Sequence, residues 1–221
     1  LIFSVFAGVI SLNFRIGKFL NLALYSAFSL GAYLLFFFGE FSVLLAPVFG
    51  LCLSVGTILL KRSLCKSVMD ATIVSLGVGI AVEELLRIFL QKGYYYIVTE
   101  NANFLLPTFA AFYAIVYAAY MSPFGIKLKF LEEDEELAKI CGVNVELYAF
   151  VSTFLAFTFS ILLGISASNN AAIHPQIGLS YMLAGIIVAA FSTITKSIGE
   201  KNYLSILSFS LLFSIILGVI W

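Results

Sequence analysis

Ser122–Val145, SPFGIKLKFLEEDEELAKICGVNV, is the one long polar stretch of this chain. It holds five consecutive acids, Glu132, Glu133, Asp134, Glu135 and Glu136, with Lys127 and Lys129 just upstream. Leu137, Ile140 and Cys141 recur at helical spacing and Gly142 ends the pattern, which predicts a short amphipathic helix with a glycine stop. Segments long enough to cross a bilayer lie on both sides of it. The stretch is therefore expected outside the bilayer, where a soluble partner would meet it.

Composition sets the frame for that reading. The 221-residue chain is 62% hydrophobic and 11% charged, with a mean hydropathy of +1.09. A soluble domain carries about 25% charged residues, so this chain lacks the polar surface to cover itself in water. Its apolar runs are continuous and about twenty residues long, as membrane helices require, whereas a β-barrel would alternate in segments of about ten. Backbone groups in hydrocarbon must be satisfied within the segment. The predicted fold class is all-α, a polytopic transmembrane helical bundle forming one domain over 1–221. A formal net charge of zero gives no basic surface for nucleic acid. Cys52, Cys65 and Cys141 are scattered and odd in number, with no CxxC, so neither a zinc site nor a disulfide framework is indicated.

About eight spans are expected. Leu1 to Asn13 is short or clipped, and lacks the basic start and cleavage site of a signal peptide. Phe19 to Phe38, Val43 to Leu60, Ala71 to Leu90 and Leu105 to Met121 precede the polar stretch, with a tight turn at Gly39–Phe41. Leu147 to Ile165, Leu179 to Thr195 and Tyr203 to Trp221 follow it. Alternate crossings place Arg15 and Lys18, Lys61, Arg62 and Lys66, and Lys196 and Lys201 on the side of the polar stretch; only Arg87 and Lys92 fall opposite. The positive-inside rule makes that side cytoplasmic. The expectation is a multi-pass protein of the cell membrane, surrounded by lipid, with its amino terminus and the 93–103 and 166–178 loops outside.

Chemistry is sparsely signalled. There is no P-loop, no HExxH and no cluster of metal ligands, and the lone His174 sits before Pro175 in a short loop. No cofactor is expected, and the chain is not expected to be an enzyme. Glu83, Glu84 and Arg87 are spaced as i,i+4 and i,i+3 pairs near a span end. They read as a self-neutralised interfacial group or, as charges inside a membrane segment, a functional candidate. Asn21, Ser26, Ser29 and Gly31 make a small, polar stripe that reads as close helix packing or as the lining of a path. Gly77, Gly79 and Ala81 read as packing. The polar stretch itself reads as a solvated linker or as a helix that docks in a partner's groove.

Two stretches carry a family likeness. SPFGIKLKFLEEDEELAKICGVNV resembles the cytoplasmic coupling loop of ATP-binding-cassette (ABC) permeases of the branched-chain amino acid type, relatives of the ribose-type sugar permeases. Their pattern is like TxFGxxxRAxxxxxxxAxxxGIN. Phe124, Gly125, Ala138, Gly142, Val143 and Asn144 fall on it in register; Lys129 takes the arginine position and Phe130 replaces the alanine. LNLALYSAFSLGAYL is similar to the family's LNFAHGAxxxLGAYL at Leu20, Asn21, Ala23, Gly31, Ala32 and Tyr33, departing at Leu24 and Tyr25. The family's Gly-Gly-rich turn near the carboxyl end is replaced here by AGIIVAAFSTITKSIG.

The resemblance implies a permease subunit of an importer. A second permease subunit, identical or not, would complete the path, two ATP-binding cassette subunits would dock on the coupling loops, and an extracytoplasmic binding protein would deliver the solute. It places the ATPase contact at Phe124, Gly125, Lys129, Ala138, Gly142, Val143 and Asn144. It places the translocation path near Asn21, Ala23, Gly31 and Tyr33. The solute would be small and polar, with a branched-chain amino acid first and a sugar, nucleoside or urea open. The alternatives are an ATP-independent carrier or channel, and a membrane scaffold without transport.

Overall fold

The computed structural model describes residues 2–65, 67–90, 95–96, 105–168, 172–196, 210–212 and 215. Lys66, Lys92, Lys201, most of the 93–103 loop and most of the expected span Tyr203 to Trp221 lie outside the described residues. The fold is helical: α1 (Ile2–Gly17), α2 (Leu24–Phe38), α3 (Ser42–Leu64), α4 (Val68–Leu90), α5 (Leu105–Met121), α6 (Pro123–Glu133), α7 (Glu135–Ile140), α8 (Val145–Ala167) and α9 (Ile177–Lys196). A two-residue antiparallel pair, β1 (Tyr95–Tyr96) with β2 (Ala172–Ile173), joins two connecting loops at one end.

By length and composition two helical runs are long and apolar enough to cross a membrane, Leu24–Leu64 and Val145–Ala167, or three if the bent pair α5 and α6 counts as one. The 41-residue run Leu24–Leu64 is not straight. Gly31 packs on Ile161 and Gly50 on Thr158, both in one turn of α8. A straight helix would hold those two glycines about 28 Å apart. The chain therefore folds back at the single 3-10 turn Gly39–Phe41, where Gly39 has φ +54, and α2 and α3 form a hairpin.

Helices α1, α2 and α8 make the core, with Phe6, Phe28, Phe157 and Ile161 fully buried among them. Small residues set the spacing. A Cβ on Gly31 would overlap the Ile161 carbonyl, and one on Gly164 would overlap the Phe28 carbonyl, so α2 and α8 cross backbone to backbone. Ser160 Oγ adds a bond to the Leu24 carbonyl at 2.7 Å. The outer helices each bury one stripe at i+4 spacing: Ser42, Ala46, Gly50 and Ser54 on α3; Ala71, Ser75, Gly79 and Glu83 on α4; Thr108, Phe112, Val116 and Tyr120 on α5. Their other faces are exposed and apolar, as with Leu44, Leu59, Ile73, Phe89 and Leu106.

Two details differ from the expected spans. The helix predicted from Phe19 begins at Leu24, because Lys18–Ala23 is not helical. That break is largely buried, and side chains satisfy backbone groups in it and beside it. Ser75 Oγ accepts from Leu22 N at 3.0 Å, Asn21 Oδ1 accepts from Ala23 N at 3.2 Å, and Lys61 Nζ donates to the Gly17 carbonyl at 3.0 Å. Secondly, Gly77 faces open space, and of the two mid-helix glycines only Gly79 packs, against Tyr25 and Ala23.

Candidate functional site

The polar stretch folds as an elbow of two helices where one was predicted. Pro123 opens α6 at its first position, where a missing N–H costs nothing. The axis turns by 89° between α5 and α6. Gly125 makes that turn possible: a Cβ there would overlap the Tyr120 carbonyl. Gly125, Leu128 and Leu131 then bury one face of α6, while Phe124, Ile126, Lys127, Lys129 and Phe130 stay exposed.

The acidic run divides by position. Glu132 turns inward, its side chain 8% exposed, and accepts from Arg15 Nη1 at 3.1 Å and from the Tyr120 hydroxyl. Lys18 Nζ donates to the Glu132 carbonyl at 2.9 Å. The Arg15 and Lys18 contacts clamp α6 to the end of α1, and the Tyr120 contact ties it to α5. Asp134 breaks the helix with extended backbone and caps α7, its carboxylate accepting from Glu136 N at 2.8 Å and Leu137 N at 3.4 Å. Glu135 pairs with Lys139 at 2.7 Å, and this hydrogen bond and charge hold the lysine above its usual pKa.

The end of α7 is a complete Schellman motif. Gly142 has φ +75, its N–H reaches the Lys139 carbonyl and the Val143 N–H reaches the Ala138 carbonyl, both at 3.0 Å. Buried Ala138 and Val143 supply the apolar contact of that motif. Asn144 then caps α8, Oδ1 accepting from Leu147 N at 3.2 Å. Gly142→Ala is expected to cost about 1 kcal/mol, because an L side chain is strained at positive φ while nothing nearby obstructs it. A drop of a few degrees in melting temperature, with insertion unchanged, is the readout.

The seven residues of the expected ATPase contact thus come together, but in two roles. Gly125, Ala138 and Val143 are buried and shape the elbow from within; Phe124, Lys129, Gly142 and Asn144 are exposed. The exposed apolar side chains also include Ile126, Leu137 and Ile140, the last 83% exposed. Sequence reading missed Glu132 as a clamp. The signal was present: with α6 starting at Pro123, Leu128 and Glu132 share a face at i,i+4.

The expected path residues sit elsewhere, and none lines the clefts at the elbow. Asn21, Ala23 and Tyr33 are buried, and Gly31 is committed to α8. Ser26 and Ser29 bond back to the Ala23 and Tyr25 carbonyls, and Gly178 N donates to Ser29 Oγ at 3.2 Å. The Glu83–Arg87 and Glu84–Arg87 pairs form at 3.1 and 2.9 Å, and buried Glu83 also accepts from the Tyr25 hydroxyl at 3.1 Å, a partner the spacing did not reveal.

At the elbow end, Lys18, Lys61 and Arg62 stand together with Arg15 around the tips of α1 and α3. Burial and the Asp70 charge push the Cys65 thiol up, with Lys61 opposing. His174 is a loop residue with Nδ1 at 3.4 Å from the Ala172 carbonyl. No group of three metal-ligating side chains occurs among the described residues. No protein-family model, curated protein or solved structure matches the chain.

Proposed function

We propose that this chain is the permease subunit of an ABC importer for a small polar solute. The observation that carries it is the elbow: α6 and α7, with α6 turned 89° from α5 and clamped to α1 through Glu132, and with apolar and basic side chains on its outside. Such a unit gives a motor something rigid to push. A force on α7 passes through α6 and Glu132 to α1, and α1 packs on α8 and α9 in the core. Packed interfaces respond to such displacement by switching between discrete arrangements.

Further support comes from the outward faces of α3, α4 and α5, whose exposed apolar surface suits lipid as solvent. The reading carries about eight spans in a cell membrane, with the hairpin α2–α3 as two of them, and the elbow in the cytoplasm. The partners are two ATP-binding cassette subunits, a second permease subunit and an extracytoplasmic binding protein. The path runs near Asn21 and Tyr33. A branched-chain amino acid is the first solute to try, then sugars, nucleosides and urea.

The test is reconstitution of the chain with a candidate ATP-binding cassette subunit. Ile140→Asp places a charge in the middle of the proposed contact. A buried apolar anchor at an interface is worth about 2 kcal/mol or more, so association should weaken roughly 30-fold and ATP-driven uptake should collapse. Full uptake by that variant rejects the docking role. The ATP-independent carrier is favoured by one observation, the buried unwound segment Lys18–Ala23, because broken helices form the sites of many carriers. Uptake driven by an ion gradient in liposomes without any ATPase would select it.

A further inference from the structure

Beside the elbow, the tips of α1, α3, α4, α7 and α8 leave an open cleft of about 520 Å³. Lys18, Lys61 and Arg62 come from the α1 and α3 side, and Glu135 and Glu146 from the α7 and α8 side. Both acids are engaged: Glu135 holds Lys139 at 2.7 Å, and Glu146 faces Arg62 at 3.8 Å. Among the described residues, no carboxylate lies within ion-pair distance of Lys18 or Lys61. Their ammonium groups each spend one donor on a main-chain carbonyl, Glu132 at 2.9 Å and Gly17 at 3.0 Å. Lys61 also lies 4.4 Å from the centre of the Phe19 ring. An ammonium has three donors, so both retain capacity for a ligand.

The backbone adds an independent observation. Lys18 is the only described residue other than glycine with positive φ, at 56°. L side chains avoid that region, and such outliers persist where the surroundings impose them, commonly at binding sites. The bend starts the unwound segment, and Lys18 lines the cleft. The remaining walls are apolar, with Ile16, Phe19, Ile58 and Val68.

We propose that this cleft binds a phosphate oxyanion between the Lys18 and Lys61 ammonium groups, with Arg62 at its mouth. Two compact cations and a guanidinium match the oxygens of a phosphate, and the apolar walls match the glycerol and first methylenes of a phospholipid. A soluble phosphate offers the same oxygens without the tail. An anion here would be held whatever partner docks on the elbow.

The test uses the full chain purified in detergent micelles, with dioleoylphosphatidylglycerol, dioleoylglycerol or inorganic phosphate added. Retention is read by native mass spectrometry and protection by the melting temperature. Phosphatidylglycerol should be retained and should raise the melting temperature, and dioleoylglycerol should do neither. Protection by inorganic phosphate as well assigns a soluble ligand; protection by the phospholipid alone assigns a lipid. The double variant Lys18→Gly, Lys61→Gln should lose at least tenfold in affinity, and Arg87→Gln, at the other end of α4, should lose nothing. Should the double variant misfold, Lys18→Gly stands alone, since it gives the positive φ to the residue that accepts it; a loss of about threefold or more is then expected. Equal retention of dioleoylglycerol, unchanged affinity in the variants, or no binding of either phosphate compound to the wild type overturns the proposal.

Discussion

Gly164→Val will leave little folded protein. The valine Cβ would occupy the space of the Phe28 carbonyl, and the Ala32 amide is close behind. Neither is a side chain that can rotate away. Overpacking a core costs about 1–3 kcal/mol when side chains can adjust; here α2 and α8 must separate, so about 3 kcal/mol or more is expected. That is a large part of the 5–15 kcal/mol that holds a typical protein together. Gly31→Val meets the Ile161 carbonyl and should behave alike. Gly56→Ala and Gly77→Ala supply the comparison. Both glycines sit in helices facing open space, and alanine there should be neutral or stabilising by about 0.5–1 kcal/mol. Monodisperse yield and melting temperature in detergent separate the two classes.

Glu132→Ala should free the elbow without unfolding the bundle. The carboxylate takes the Arg15 guanidinium and the Tyr120 hydroxyl, and its loss removes both contacts. A buried charged pair broken from one side costs about 3–5 kcal/mol. Arg15 remains partly in water, which lowers the expected figure to about 2 kcal/mol, roughly a 30-fold rise in the open population. Trypsin reports it, because Lys127, Lys129 and Lys139 lie on the elbow; cleavage there should accelerate by about that factor. Glu133→Ala, one residue on and exposed, should change cleavage little. Equal protection of Glu132→Ala and wild type would mean that the elbow is held by packing alone.

How much of this was legible in the sequence follows from what a periodic pattern encodes. Helical class and the elbow's place in the chain came from continuous apolar runs and the one polar interruption. Gly142 was legible as a helix stop, because glycine after a periodic run is a local signal. The break after α1 was not. Lys18–Ala23 reads as the entry to a span, since Phe19, Leu20 and Leu22 are apolar; its unwinding depends on Ser75 and Lys61, far along the chain. The division of the acidic run was hidden for a related reason. Five acids in a row look alike until the phase of α6 puts Glu132 inside and the Asp134 cap ends the helix. Gly31 was legible as a small residue in a stripe, but its partner Ile161 lies across the fold, beyond the reach of a periodic pattern.

The measurement that bears most directly on the elbow as a cytoplasmic docking unit uses its own thiol. Cys141 is exposed just past α7, and Cys52 is exposed on the apolar flank of α3. With Cys52 and Cys65 replaced by alanine, a membrane-impermeant maleimide should label Cys141 in inside-out vesicles and leave it untouched in right-side-out ones. With Cys141 and Cys65 replaced instead, Cys52 should resist in both, shielded by lipid. Labelling of Cys141 from the outer face, or in neither orientation, would contradict the account.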